Sequence, residues 1–336
     1  MKARISSRIG RTNRTKLEEV IPLSTPFLVF LDPSSLCNFQ CVFCPCGNRQ
    51  LAKESGRKRT FMSFDDYKKI IDDMTQFPDK IKTLRLYKDG EPLINRKLPD
   101  MIRYAKDKDV ARSIDFTTNG SLLTYELGNR LVEAGLDRII ISVEALSDNE
   151  YFEISKYKVD FKQYVANIRH LYENKASMTI LVKITDVGVK GKEQEFHNIF
   201  GDICDEISID QITPVWPQYQ VDNDIKTSFD KDIYGKELVG GVTVCPYIFY
   251  SISINAVGSV SACFVDWEQK IILGNALTDS IADIWNGDEH KALQLAHLRG
   301  ARSNLAVCGS CGQLQYGSPD NIDPHKDELL SRLLSY

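Results

Sequence analysis

From residue 26 onward, short apolar runs rich in β-branched and aromatic residues alternate with longer stretches in which apolar residues recur every three or four positions. The runs "FLVFLD" (27 to 32), "TLRLYKDG" (83 to 90), "SIDFTTNG" (113 to 120), "RIIISVEA" (138 to 145), "TILVKIT" (179 to 185) and "ISIDQITPV" (207 to 215) end at turn or polar residues and predict six strands. Between them, "SFDDYKKIIDDMTQF", "LPDMIRYAKDKD", "LTYELGNRLVEAG" and "DFKQYVANIRHLYEN" have helical spacing, several with a Ser, Thr or Asp placed to cap. A repeated strand-helix unit implies an α/β fold: a parallel sheet with helices outside, open or curled into a partial barrel. In both forms the working face lies at the carboxyl ends of the strands.

After about residue 216 the pattern changes. A polar stretch leads through Gly240 and Gly241 into "YSISINAVGSVSACFVD", which reads as a hairpin, then a helical stretch, "SIADIWNGDEHKALQLAHLRG", and a polar tail. The expected division is a basic arm over 1–25, a strand-helix domain over 26–225, a small α+β domain over 226–315 and a tail over 316–336. The 336 residues agree with two domains at roughly 150 residues each.

Composition narrows the function classes. Hydrophobic residues at 43% and charged residues at 26% are ordinary for a folded protein, and a net charge of -4 points to neither a nucleic-acid nor a membrane partner. The strongest local bias is the cluster Lys2, Arg4, Arg8, Arg11, Arg14 and Lys16, which reads as a solvated, mobile terminus. No secretory h-region and no run near the ~20 apolar residues of a membrane span is present, so a cytoplasmic location is expected. Structural disulfides are rare there, and the nine cysteines read as metal ligands first.

Cys37, Cys41 and Cys44 follow C-x3-C-x2-C in a loop after the first predicted strand. Three soft thiolates from one loop suit zinc, copper(I) or an iron-sulfur cluster, and three ligands leave one metal position open. Four of the others, Cys245, Cys263, Cys308 and Cys311, lie in the last hundred residues. Four thiolates close a coordination shell. Zinc remains a competitor for this set, although zinc ribbons usually bring two close pairs and Cys245 and Cys263 are far apart. Cys46 reads as a passive thiol and Cys204 as structural; the five histidines have no metal-binding spacing.

With Phe43 just before its last cysteine, the C-x3-C-x2-C loop resembles the signature of the radical S-adenosylmethionine (SAM) enzymes. The resemblance implies a partial (β/α)6 barrel of TIM type. It also implies a [4Fe-4S] cluster on Cys37, Cys41 and Cys44, with SAM on the open iron, reductively cleaved to a 5'-deoxyadenosyl radical that abstracts hydrogen from substrate. "DGEP" (89 to 92) is similar to the family's Gly-Gly-Glu-Pro turn, so Gly90 and Glu91 would meet the SAM amino group, although Asp89 replaces the usual glycine. "TTNG", with Asn119, and "SVEA", with Ser142 and Glu144, resemble the strand ends that face the rest of SAM. The family's glycine-rich pattern in the fifth strand is not recognisable in "ILVKITDVG".

The second cysteine set resembles the auxiliary-cluster region called twitch, or its longer SPASM form, and implies one additional [4Fe-4S] cluster for electron transfer, as in twitch-containing 2-deoxy-scyllo-inosamine dehydrogenase. Flavodoxin or ferredoxin is the implied reductant. The leading expectation is oxidation of a small polar substrate such as a sugar, nucleotide sugar or aminocyclitol, with about 26 residues before the first strand leaving little room for a peptide-binding domain there. The alternatives are a peptide or protein maturase, an epimerase in which a thiol returns the hydrogen, and a non-catalytic electron carrier or iron sensor. By position, Tyr87 and Lys183 are the candidate catalytic residues, with Lys88 and Asp186 also placed to face the interior.

Overall fold

The computed structural model describes residues 1–336 except 8, 10–13, 227 and 239. Arg8 and Arg11 of the basic cluster thus lie outside the described residues. The parallel strands are β1 (Arg4–Ile5), β2 (Leu28–Leu31), β3 (Ile81–Arg85), β4 (Ala111–Thr118), β5 (Arg138–Val143), β6 (Thr179–Thr185), β7 (Glu206–Asp210) and β8 (Ser251–Ile254). Two more, β9 (Ser259–Ser261) and β10 (Ile272–Asn275), run antiparallel beyond β8. All ten form one sheet in the order β1-β7-β6-β5-β4-β3-β2-β8-β9-β10.

The six expected strands are β2 to β7, and the fully buried residues along each, such as Leu84, Ile114, Ile139 and Val182, are what a sheet covered by helices requires. The four expected helices form as Phe64–Met74, Leu98–Lys108, Tyr125–Glu133 and Phe161–Asn174. Ser63, Thr124 and Asp160 cap three of them by accepting from the backbone N–H three residues on. On the first, Tyr67, Ile70, Ile71 and Met74 recur at helical spacing and are buried against the sheet, each such side chain worth about 1.5–3 kcal/mol of burial. The fold is therefore a mixed α/β partial barrel followed by a small region with antiparallel strands, as expected.

Several boundaries differ. β3 stops at Arg85, because after Leu86 N–H makes a last bond to Asp115 O at 2.7 Å the chain leaves the sheet and Glu91 N–H reaches Leu36 O of the cysteine loop, and β7 stops at Asp210. The expected hairpin is β8 and β9, with Ser253 opposite Ser261, but β8 also pairs in parallel with β2, from Leu28 opposite Ser251 to Leu31 opposite Ile254. The cysteine-rich second region is thereby continuous with the barrel sheet.

The N-terminal stretch is not a free arm where it is described. Arg4 and Ile5 pair with Glu206 and Ile207 at the sheet edge, and Arg14 forms an ion pair with Asp320 at 2.6 Å. The expected polar tail contains a helix, Lys326–Ser335, whose Leu329 and Leu333 are buried with Leu17, Ile21 and Tyr247 in a second core cluster. Among the described residues, no helix is long and apolar enough to cross a membrane.

Candidate active site

The loop after β2 is held along its length by backbone bonds. Ser35 N–H donates to Thr60 O at 2.9 Å, Gln40 N–H to Ser155 O at 2.7 Å and Val42 N–H to Ile154 O at 3.1 Å. A tight turn follows, with Cys44 N–H donating to Cys41 O at 3.0 Å. These anchors leave Cys37, Cys41 and Cys44 partly exposed on the carboxyl-end face, with Phe43 packed on the core edge beside them. Burial pushes the Cys37 thiol up to about 12 and the Cys41 thiol well above its ordinary range, with Glu91 and Glu144 adding repulsion at the two sites respectively. Such thiols ionise when a metal core supplies the missing positive charge.

The 89–92 turn docks on this loop. A side chain at Gly90 would place its Cβ 2.1 Å from Ser34 O and 2.5 Å from Leu36 O, so only glycine permits the approach, and Glu91 N–H donates to Leu36 O at 2.8 Å. Glu91 itself is enclosed. Its Oε1 accepts from Thr118 Oγ1 at 2.6 Å and Leu93 N at 2.9 Å, and its Oε2 from Asn119 N at 2.7 Å. Burial raises this carboxyl to about 7 against the pull of those three bonds. Glu91 thus braces the turn against the end of β4.

Asn119 continues the chain of contacts, its amide donating to Asn38 Oδ1 at 2.9 Å and standing 4.0 Å from Cys37 Sγ. Glu144, just past β5, is buried, and its carboxyl is raised to about 7 by desolvation, opposed by the charge of Lys183. Ser142 lies opposite Lys183 in the sheet register. Although the fifth expected strand, which is β6, lacks a recognisable glycine pattern, Gly188 just beyond it does pack against this end: a Cβ there would sit 2.3 Å from Glu144 O.

The second set is also brought into one neighbourhood. Burial comes first, pushing Cys245 to about 12 and Cys308 to about 11, and the neighbouring thiols add to it: Cys308 and Cys311 at Cys245, Cys245, Cys308 and Cys311 at Cys263, and Cys311 at Cys308. Arg302 opposes the rise at Cys245, Cys308 and Cys311, and donates to Cys311 O at 2.8 Å. Among the described residues no three His, Cys, Asp or Glu side chains converge as the ligands of one ion do. Thiolates of a multi-iron cluster bind separate iron atoms, so a wider spread suits a cluster better than one shared zinc.

A family model described as "Radical SAM superfamily" matches residues 31–201, half of the chain. The chain belongs to the radical SAM superfamily. A second model, an iron-sulfur cluster-binding SPASM domain, matches residues 245–312 and contains the four late cysteines. Membership brings a [4Fe-4S] cluster and SAM, and the SPASM match brings further iron-sulfur binding. A probable GTP 3',8-cyclase of Methanococcus maripaludis is 33% identical over 119 residues, 35% of this chain and 37% of that protein. A cofactor-modifying protein for tungsten-containing aldehyde ferredoxin oxidoreductase, from Pyrococcus furiosus, is 33% identical over 118 residues, 31% of its length. The matched stretch thus spans about a third of these curated relatives.

Among solved structures, BtrN in complex with AdoMet and 2-DOIA has a TM-score of 0.57 at 17% identity, covering 88% of this chain and 97% of that one. SuiB of Streptococcus suis bound to precursor peptide SuiA has a TM-score of 0.61 at 15% identity, covering 89% and 72%. These establish the shared fold.

The lumen of this radical SAM chain holds a cavity of about 480 Å³ whose wall includes Phe30, Tyr87 and Phe264; neither thiol set is among its described lining residues. Of the residues picked out for the interior, Tyr87 lines this cavity, and Lys183 is ion-paired with Asp210 at 3.1 Å. Asp186 is structural: it accepts from Ile212 N at 2.9 Å and pairs with Lys226. Lys88 belongs to a buried charge cluster that the sequence did not signal. Asp89 accepts from Arg57 Nη1 at 2.6 Å and from Lys88 Nζ at 2.9 Å, all three side chains being almost fully buried, while Lys88 also donates to Asp266 O at 3.2 Å near Cys263. Cys46 Sγ, at 3.8 Å from Asp89 Oδ1, closes this cluster toward the first loop. The one available signal was Asp89 itself, an acid where the family turn has glycine.

Proposed function

We propose that this chain is a radical SAM oxidoreductase acting on a small polar substrate held in the lumen, oxidising it with the second cluster as electron acceptor. Cys37, Cys41 and Cys44 hold the first cluster, and Cys245, Cys263, Cys308 and Cys311 the second. Phe43, Gly90, Glu91, Asn119, Ser142 and Glu144 surround SAM. When bound, the first cluster and SAM supply one-electron reduction and hydrogen abstraction.

The observation that carries this reading is the aromatic wall of the cavity, where Phe30, on the strand leading to the first thiol set, stacks at 4.7 Å on Phe264, which follows Cys263. A substrate there would rest on rings contributed by the β2 strand and by the segment after Cys263. The Tyr87 phenol is placed to hydrogen-bond a substrate hydroxyl, and Lys183, held by Asp210, to fix a polar group near Glu144. The matched relatives are named for unrelated reactions, as expected when the aligned part is the radical-generating core. Flavodoxin or ferredoxin in the cytoplasm is the proposed electron source.

The test uses anaerobically reconstituted, reduced protein with SAM and scores 5'-deoxyadenosine after adding a small-polar-metabolite fraction or a peptide fraction. Stimulation by small metabolites is expected. Stimulation by peptides alone moves the chain to the maturase class, and no cleavage at all, even in the background, favours an electron carrier.

A further inference from the structure

Several unpartnered polar atoms of the barrel share one face of its sheet. Leu28 and Phe30 of β2, Thr83 and Arg85 of β3, and Ser113 and Asp115 of β4 are alternate residues that line the cavity, so this face turns inward. The opposite face, with Val29, Leu31, Ile252 and Ile254, is buried in the hydrophobic core. Phe30 stands opposite Arg85 and Ser253, and Arg85 opposite Asp115. The next inward residues toward the carboxyl ends are therefore Asp32, Tyr87, Thr117 and, just past the end of β8, Asn255. Asp32 N–H still donates to Ile254 O at 2.9 Å and Leu86 N–H to Asp115 O at 2.7 Å, which carries the register up to this level. From here the strands run on to the residues set around SAM: Asp32 leads to Cys37, Tyr87 to Gly90 and Thr117 to Asn119.

Four buried atoms on this face have no hydrogen-bond partner among the described residues. They are Asp32 Oδ2, Thr117 Oγ1 and Asn255 Oδ1 at this level and Ser253 Oγ one level below. Asp32, Ser253 and Asn255 are at most 1% exposed. One such atom is costly to a fold, and four on adjoining strands fit a ligand that brings its own hydrogen-bonding groups. The carboxylate and amide oxygens only accept, so that ligand has to offer donors such as hydroxyls.

Asp32 also has the acidity of a base that works near neutrality. Burial raises its carboxyl to about 7, Asp89 adds to the rise, and Lys88 and Arg57 oppose it. Both cations are bonded to Asp89, Arg57 at 2.6 Å and Lys88 at 2.9 Å, which leaves Asp32 Oδ2 unpartnered. A carboxylate so placed can take up a proton and return it.

We infer that Asp32 is a catalytic residue that accepts the proton of a substrate hydroxyl as the carbon bearing it is oxidised, with Thr117 and Ser253 holding neighbouring hydroxyls. The inference rests on the small-substrate oxidation proposed above and adds its proton acceptor. The carbon gives its hydrogen atom to the 5'-deoxyadenosyl radical, its hydroxyl gives a proton to Asp32, and the remaining electron passes to the second iron-sulfur cluster. The C–H and O–H bonds break and the C–O bond becomes double.

Two substitutions test it in reconstituted, reduced protein with SAM and the stimulating small-polar-metabolite fraction. Asp32→Asn is expected to lower the yield of product two hydrogens lighter than its parent, per 5'-deoxyadenosine formed, by about a hundredfold at equal iron content. If that variant does not load iron, Asp32→Glu, which keeps the charge and shifts the carboxylate by one methylene, is read instead, with a loss of about tenfold expected. An unchanged ratio overturns Asp32 as the proton acceptor. Thr117→Val removes an unpartnered hydroxyl at nearly equal size. The melting temperature without ligand should match or exceed that of the unsubstituted chain, while the amount of fraction giving half-maximal 5'-deoxyadenosine should rise about fivefold. A fall in melting temperature, or an unchanged half-saturation, assigns this hydroxyl to the fold and overturns the subsite. If only peptides stimulate, the small-substrate reading fails, and the same product ratio measured with the peptide fraction decides separately whether Asp32 takes the proton.

Discussion

The two thiol sets reach similar chemistry by different routes. Cys37, Cys41 and Cys44 come from one loop anchored at both sides, so local spacing does most of the work. Cys245, Cys263, Cys308 and Cys311 come from a helix start, a strand end and a turn scattered over residues 245 to 311, and only the packing of those elements assembles them. The first set stops at three thiols and borders a glycine turn that nothing larger can replace; the second has four thiols and borders Arg302. An incomplete shell leaves room for a cosubstrate, whereas a complete one suits electron transfer.

Removing one thiol from each set should separate them most sharply. Cys41→Ala is expected to abolish 5'-deoxyadenosine formation, a loss of at least about a thousandfold, and to leave one cluster's worth of iron. Cys263→Ala is expected to keep SAM cleavage while losing oxidised product, read by mass spectrometry of both products. Equal loss in the two variants would erase the distinction in roles.

The next effect concerns the turn that only the first set has. Gly90→Ala forces a Cβ against Ser34 O and should destabilise the protein by about 1–3 kcal/mol, measured by denaturant melts of the cluster-free chain. Melts that match the unsubstituted chain would show that the loop can yield.

A smaller effect follows from the enclosed carboxylate beside that turn. Glu91 titrates at about 7 in the fold against an ordinary 4.5, so over that window the folded chain keeps a proton that the unfolded chain has released. Its contribution is present in full below about 4.5 and is lost as pH rises through about 7. In the cluster-free protein, Glu91→Gln should therefore flatten the fall in melting temperature between those limits, and an unchanged slope would place the titration elsewhere. The smallest effect belongs to the chain termini: Arg14→Ala breaks the partly exposed pair with Asp320 and is expected to cost about 0.5–1 kcal/mol in the same melts.

The alternation of β-branched runs with amphipathic stretches made β2 to β7 and the four outer helices legible, because each element buries one face and its period records which. The triad and the "DGEP" turn were legible for a similar reason, since their geometry is local. Arg4–Ile5 is too short to carry a period, and the helix Lys326–Ser335 hides Leu329 and Leu333 among polar neighbours. Arg57 gave no sign that it would be buried against Asp89, because the two are brought together only when the 89–92 turn docks on the cysteine loop.

By itself, then, the sequence determined the strand-helix order, the superfamily and the thiols available for iron, all of which depend on residues near one another in the chain. Tertiary structure alone decided that β8 continues the barrel sheet beside β2, that four cysteines distant in the chain share one neighbourhood, and that Phe30, Tyr87 and Phe264 meet in the wall of one cavity. Those features depend on which distant segments share a wall, and that is set by how the whole sheet closes around its interior.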